Sequence, residues 1–183
     1  MAKRTKIDQD VEVIVMNNVR GSFFYKSRNG DLILDLDEFG DEEYVTFGDL
    51  KKIMASKRVV LEKLKLVIVG VEDDEIELDD VVAALRLTDT YSELKAACNG
   101  EIGATGIEDF ITDSDVSVLE KTLNSNKTKL KNTIIETAVV MYRTGKLTDY
   151  NKMKLFAEKI GRKDFGNYWQ DVDLPEQAAL TFV

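Results

Sequence analysis

The sequence contains no histidine and only one cysteine, Cys98. Without an imidazole ring, a Ser-His-Asp triad, a Cys-His dyad, a His-ligated zinc site and a histidine proton shuttle are all excluded. A single thiol excludes an intramolecular disulfide and a cysteine-rich zinc site, and it suits a reducing compartment. Because no basic residue stands at a spacing that would activate Cys98, we expect a packed thiol.

Long hydrophobic runs are lacking as well. No run approaches the roughly 18 to 20 apolar residues of a membrane-spanning helix, and the basic start of the chain has no hydrophobic stretch behind it. We therefore expect neither secretion nor a membrane partner. The 183 residues are 44% hydrophobic and 32% charged, a composition typical of a folded chain with one domain or two small ones.

The first half alternates short β-rich runs with turn residues. Residues 11–16 and 23–25 flank a turn-rich segment, which predicts a hairpin, and Arg28-Asn29-Gly30 predicts a second hairpin leading to residues 31–36. An acidic turn follows, and Thr46 with Asp49 three residues later predicts a capped helix. The apolar run 64–69 is typical of a buried final strand.

Helical spacing dominates the second half. Helices are predicted over residues 81–87, 91–98, 115–123, 130–142 and 150–160. The short connection after Gly145 predicts that the last two helices pair on a common core. The sequence therefore predicts an α+β fold. It divides into a basic arm (1–10), a small antiparallel β-rich domain with one or two helices (11–71), an α-helical domain (72–163) and a C-terminal tail (164–183).

Candidate chemistry is sparse. Asp35, Asp37 and Asp41 resemble the opening of a calcium loop, but Phe39 and Thr46 stand where that loop needs oxygen ligands. No pair of acids stands in an apolar context that would separate two pKa values for acid and base catalysis. We predict no catalytic, metal-binding or cofactor-binding residue and no enzymatic activity. An enzyme using carboxylates alone is a distant alternative.

Charge is distributed unevenly along the chain. The net charge is −9, yet residues 127–163 contain ten basic and three acidic residues and residues 1–6 add three more positive charges. This polarity suits head-to-tail contact between copies or contact with nucleic-acid phosphates, although a solvated helix surface also explains it. The candidate basic face consists of Lys127, Lys131, Arg143, Lys146, Lys152, Lys154, Lys159, Arg162 and Lys163.

Both termini contain candidate interface residues. The C-terminal tail stays apolar to its end, so it either docks on its own body or reaches a neighbouring protein. Apolar side chains of flexible termini become buried anchors once a partner orders them; the alternative is that Trp169 and Phe182 cover the chain's own core. The candidates are Lys3, Arg4, Lys6, Tyr168, Trp169, Leu180, Phe182 and Val183.

The first half carries a distinctive motif, V-x-V…N-N…G-x-x-x-Y-K-S-x-x-G, followed by E-F-G-D-E-E-Y-V-T and D-L-K-K. Its residues are Val11, Val13, Asn17, Asn18, Gly21, Tyr25, Lys26, Ser27, Gly30, residues 38–46 and residues 49–52. The motif resembles small, often uncharacterised structural (virion) proteins of tailed bacteriophages. The similarity extends loosely to the T-G-K-L-T-D segment at residues 144–149.

This resemblance implies a non-enzymatic structural or assembly protein of a phage particle, located in its capsid, neck, tail or baseplate. Such a protein is made in the host cytoplasm and contacts other virion proteins and copies of itself, without a cofactor. No catalytic residue is implied, since the motif consists of turn and strand residues. The alternative hypothesis is a phage-encoded regulator that binds nucleic acid or host RNA polymerase through the basic helical pair.

Overall fold

The computed structural model describes residues 6–98, 100, 102–125, 128–160, 169 and 180–182. Its first half contains β1 (Glu12–Asn17), β2 (Phe23–Lys26), β3 (Ile33–Leu36), β4 (Glu42–Thr46), α1 (Phe47–Lys57), α2 (Val59–Glu62) and β5 (Leu66–Glu72). The second half contains α3 (Leu78–Ala84), α4 (Thr88–Ala97), α5 (Ala104–Asp113), α6 (Val116–Asn124), α7 (Lys131–Arg143), α8 (Tyr150–Lys159) and β6 (Leu180–Phe182). The predicted α+β fold is confirmed.

The strands form two three-stranded sheets. The first has the order β4-β1-β5 and is antiparallel, whereas the second has the order β3-β2-β6, with β6 parallel to β2. The predicted β2–β3 hairpin is confirmed, and Gly30 in its turn has a φ of 72°, which glycine adopts without strain. The predicted β1–β2 hairpin is wrong, because these two strands belong to different sheets.

The side chain of Asn17 explains why β1 and β2 separate. Asn17 is fully buried, and its Nδ2 donates hydrogen bonds of 2.8 Å to the carbonyl oxygens of both Gly21 and Glu38. Its Oδ1 accepts a hydrogen bond of 3.0 Å from the Val19 N–H. The asparagine thus closes a local turn that directs the chain out of the first sheet, in place of a tight hairpin.

The start of α1 agrees with the prediction from the sequence. Thr46 Oγ1 accepts a hydrogen bond of 3.1 Å from the Asp49 N–H, and the Asp49 carboxylate accepts one of 3.3 Å from the Thr46 N–H. The predicted capping box is therefore confirmed, and it orients α1 so that Phe47, Leu50 and Ile53 are buried. The short helix α2 precedes the predicted final strand, which begins at Leu66.

The helices of the second half lie close to their predicted positions, with one addition. The sequence does not predict α5, because Gly103 and Gly106 interrupt the apolar spacing there. Gly145 ends α7 with a φ of 74°, as predicted. The pairing of α7 with α8 is only partly right: both bury apolar side chains in a common core, but α7 packs mainly on α5 and α8 on α6.

The buried apolar side chains of the two halves belong to one contiguous cluster. Val15 and Ile68 of the first sheet, Ile134 of α7 and Phe156 of α8 all belong to this cluster and are fully buried. The change from strands to helices near residue 72 thus occurs within a shared core. In addition, β6 joins the end of the chain to the second sheet beside β2.

Replacing Tyr91 with phenylalanine is expected to lower the free energy of unfolding by about 1 to 3 kcal/mol. Tyr91 is 1% exposed, and its hydroxyl oxygen accepts a 2.7 Å hydrogen bond from the Ile68 N–H, next to the point where the β1–β5 register shifts. Phenylalanine keeps the ring but leaves that buried N–H without its acceptor. Urea unfolding measures the loss; Tyr44→Phe, at a residue 57% exposed, is the control and should change stability little.

Candidate binding cleft and basic surface

A cleft of about 490 Å³ lies between the two halves of the chain. The β1–β2 loop forms one wall through residues 18–21, and the α2–β5 connection contributes residues 63–65. The first two turns of α7 close the third side with Asn132, Thr133 and Glu136. Three segments far apart in sequence therefore converge on one concave surface of the size that small-molecule sites have.

Asn18 holds these three segments together. The residue is 4% exposed, and its Nδ2 donates a 2.7 Å hydrogen bond to the Leu64 carbonyl oxygen and a long one of 3.4 Å to Thr133 Oγ1. Its own N–H donates to the Lys65 carbonyl oxygen at 3.0 Å. Leu64 adopts a φ of 51°, a conformation that leucine rarely takes. The segments that form the cleft are thus hydrogen-bonded to one another at a residue with a strained backbone, a feature common at functional sites.

The cleft is rich in positive charge. Arg20, Lys63 and Lys65 line it, and Glu136 is the one acidic residue among its described lining residues. Arg20 Nε lies 3.0 Å from Glu136 Oε2, so this ion pair joins the β1–β2 loop to α7. Both side chains remain about 30% exposed, although the paired oxygen Glu136 Oε2 is itself buried. The local excess of positive charge stands against the net charge of −9 of the whole chain.

The predicted basic face is only partly formed. Lys131, Arg143, Lys146 and Lys154 are exposed, whereas Lys159 is half-buried and its Nζ donates to Asn124 Oδ1 at 2.6 Å. Lys146 forms a 2.6 Å ion pair with Glu108 of α5. The remaining members of the candidate set, Lys127, Arg162 and Lys163, lie outside the described residues.

Lys152 does not belong to an exposed face, so its assignment there is wrong. Its side chain is buried, and its Nζ donates hydrogen bonds to the carbonyl oxygens of Ile111 (2.9 Å) and Thr112 (2.6 Å). These carbonyls belong to the last turn of α5, where the helix dipole favours a cation. The lysine is therefore a structural link between α8 and α5. Charge patterning alone does not distinguish such a lysine from a solvated one.

The candidate interface residues lie in different environments in the structure. Trp169 is 4% exposed, with its ring 4.5 Å from that of Tyr142, so it covers the chain's own core and is no exposed anchor. The backbone of Leu180 and Phe182 lies in β6, which pairs with β2 of the same chain. Lys6 is exposed. The remaining candidates, Lys3, Arg4, Tyr168 and Val183, lie outside the described residues.

The outer face of the first sheet is an additional surface that the sequence does not single out. Tyr44 of β4 lies opposite Ile14 of β1, which in turn lies opposite Gly70 of β5. Tyr44 is 57% exposed, and Ile14 is half-buried over the bare glycine. Exposed glutamates flank this apolar strip, namely Glu12, Glu42 and Glu72. The register that aligns these residues depends on pairing between distant strands, which local patterns do not encode.

An ion-pair cluster joins the β2–β3 turn to α1. Lys52 Nζ lies 2.8 Å from Asp31 Oδ2 and 2.9 Å from Asp49 Oδ1. Hydrogen bonds from Lys52 and from Ser27 lower the pKa of Asp31 to about 2. Burial alone would raise the pKa of Asp49, but hydrogen bonds from Lys52 and Thr46 bring it below its ordinary value. The same partners raise the pKa of Lys52.

We expect Lys52→Gln to raise the pKa of Asp31 from about 2 towards its ordinary value of 3.8. Because the folded-state pKa is the lower one, the cluster stabilises the fold above about pH 4, and that contribution is lost as pH falls towards about 2. Carboxyl chemical shifts followed by NMR over this range measure the change. Lys51→Gln on the same helix should leave the Asp31 titration where it is.

The single cysteine is a packed thiol, as predicted. Cys98 is 5% exposed, and burial, assisted by the nearby charge of Asp109, raises its pKa to about 11. A thiol with this pKa carries almost no thiolate at neutral pH. Among the described residues, no group of three or more cysteine, aspartate or glutamate side chains is arranged to hold a metal ion.

Comparison with known proteins identifies no relative. No family model matches the chain, and no curated protein or solved structure matches it significantly. Within the part of the chain that the structure describes, none of the helices combines the length and the apolar character needed to cross a membrane.

Proposed function

We propose that this chain is a non-enzymatic structural protein of a tailed phage particle that acts through contacts with other virion proteins and with copies of itself. It is made in the host cytoplasm and is incorporated into the virion. The sequence motif that runs from Val11 to Lys52 supports the phage assignment by its resemblance to small virion proteins. An apolar strip on the surface of the folded chain supports the proposal that it acts through protein contacts.

The observation that carries the proposal is the apolar strip on the outer face of the first sheet. An exposed tyrosine beside an isoleucine, framed by acidic residues, has the composition of an interface centre with a charged rim. Aromatic side chains supply much of the binding energy of such contacts, while the charged rim selects partners of opposite charge. A basic surface on a neighbouring subunit fits this strip.

Exposed lysines from the candidate basic face offer such cations on the same molecule. Lys131 lies at the start of α7 and Lys154 lies in α8, and both side chains are exposed. A head-to-tail contact between copies would place these cations against the glutamates that flank Tyr44. Repeated contacts of this kind build rings or filaments, the arrangements from which particles are assembled.

The first experiment is quantitative mass spectrometry of density-purified particles from the source phage, with the copy number counted relative to the major capsid protein. We expect a fixed copy number that survives a high-salt wash. Absence from the particles would overturn the proposal. It would favour the regulator that binds nucleic acid or host RNA polymerase, whose binding should fall steeply with salt.

Variants then locate the contact surface. Tyr44→Ala should lower the number of copies per particle without lowering the stability of the isolated protein, since its side chain is largely exposed. The double variant Lys131→Glu/Lys154→Glu should do the same. Val118→Ala, at a residue 46% exposed on α6, is the matched control. Normal incorporation of both Tyr44→Ala and the double lysine variant would exclude both surfaces from assembly.

A further inference from the structure

The cleft between the two halves differs in character from the assembly surfaces. It is concave, it has a floor of buried polar side chains, and its lining is cationic in an acidic protein. A contact with another protein surface does not require a cavity of about 490 Å³. A cavity of this size is instead typical of a site for a small molecule.

The charges lining the cleft select for an anion. Lys63 is exposed at the rim, and Arg20 and Lys65 add two further cations. The guanidinium of Arg20 is paired with Glu136 at 3.0 Å, which shows that its position suits a carboxylate-like or phosphate-like group. A ligand that carries two negative charges competes with the single charge of Glu136 for this guanidinium.

The first turn of α7 adds donors on the same side. Asn132 and Thr133, the second and third residues of this helix, line the cleft, so its N-terminal turn borders the cavity. Within the described residues, no side chain caps this end of the helix. The N–H groups of a first helical turn have no partner inside the helix, and together with the helix dipole they favour bound phosphate.

The remaining lining suits an organic group attached to the phosphate. Thr133 is 2% exposed and Asn18 is 4% exposed, so the floor offers polar atoms held in fixed positions. Asn132, which is exposed at the rim, supplies a further amide. Val19 provides an apolar contact. A free phosphate ion alone would fill a small fraction of the cavity.

We propose that this cleft binds a small phosphate monoester, with the phosphoryl group between Lys63, Arg20 and the first turn of α7 and the organic group over Asn18 and Thr133. Glu136 sets the affinity, because it must release Arg20 when the ligand enters. The proposal is independent of the particle assignment, since a virion protein and a regulator could each contain such a site.

The test uses the ¹⁵N-labelled full-length protein titrated with inorganic phosphate, glycerol 3-phosphate and adenosine monophosphate. We expect saturable shifts of the amides of residues 18–21, 63–65 and 131–133, with at least one ester binding more tightly than inorganic phosphate. Lys63→Gln should weaken ester binding about threefold to fivefold, and Glu136→Gln should strengthen it by a similar factor. Lys121→Gln, at an exposed lysine of α6, should leave the affinity unchanged.

Three results would overturn the proposal. The first is the absence of shifts in these amides with every probe up to about 10 mM, a concentration above that of ordinary weak metabolite sites. The second is an affinity that neither Lys63→Gln nor Glu136→Gln alters, measured with variants whose circular dichroism and melting temperature match the parent. The third is binding of a single-stranded oligonucleotide at the same amides when no monoester binds, which would make the cleft part of a nucleic-acid surface.

Discussion

Replacing Asn17 with alanine is expected to lower the free energy of unfolding by about 3 to 5 kcal/mol, which is large for one polar side chain. The asparagine amide makes three hydrogen bonds to backbone groups, two as donor and one as acceptor, and the residue is fully buried. Truncation to alanine removes all three hydrogen bonds at once. It leaves the partly buried carbonyl oxygens of Gly21 and Glu38 without their donor.

Asn17→Asp distinguishes lost hydrogen bonds from lost volume. Aspartate has nearly the same shape, and it can still accept from the Val19 N–H, but its ionised carboxylate cannot donate to two carbonyl oxygens. We therefore expect the aspartate variant to be at least as unstable as the alanine variant at neutral pH. Urea unfolding monitored by circular dichroism measures both variants.

The control for both variants is Asn151→Ala, at an exposed asparagine in the first turn of α8. Surface substitutions of this kind change stability by about 0.5 kcal/mol or less. An alanine variant at position 17 that is as stable as this control would mean that the amide does not organise the β1–β2 loop. Asn17 would then contribute nothing to the cleft wall formed by residues 18–21.

The two asparagines show how far local patterns can be interpreted. The sequence predicts them as turn residues; Asn17 is in fact the last residue of β1, and its side chain closes the turn that follows. Their long-range roles are not visible in the pattern: Glu38 lies 21 residues from Asn17, and Leu64 lies 46 residues from Asn18. The pair Asn17 and Asn18 is thus a structural element that connects distant segments.

The same limit applies to the sheets and to the cleft. Elements fixed by near neighbours are predicted well, as the capping box of Thr46 and Asp49 and the hairpin at Gly30 show. The partners of β1 are β4 and β5, and no short-range signal selects them over β2. The cleft requires three segments to meet and could not be predicted from the sequence. Its residues Lys63 and Glu136 are of types common on any protein surface, so they give no local signal of a site.

Lys152→Met is expected to lower the free energy of unfolding by about 2 to 3 kcal/mol, the range for hydrogen bonds made by a charged group. Methionine keeps most of the aliphatic side chain but removes the ammonium group that binds the carbonyl oxygens of Ile111 and Thr112. The last turn of α5 then loses this cation from its negative end. Urea unfolding measures the effect, and Lys154→Met, two residues further along α8 and exposed, is the matched control.

Comparing variants of Lys152 and Lys154 also distinguishes an effect on stability from an effect on surface contacts. If the basic face acts in assembly, Lys154→Met should reduce incorporation into particles and leave stability unchanged, whereas Lys152→Met should reduce stability and leave incorporation of the folded protein unchanged. Equal stability of the two variants would show that the ammonium group of Lys152 contributes nothing to the joint between α5 and α8. The described contacts assign Lys152 to the core and Lys154 to the surface, so two lysines of the same helix occupy different environments.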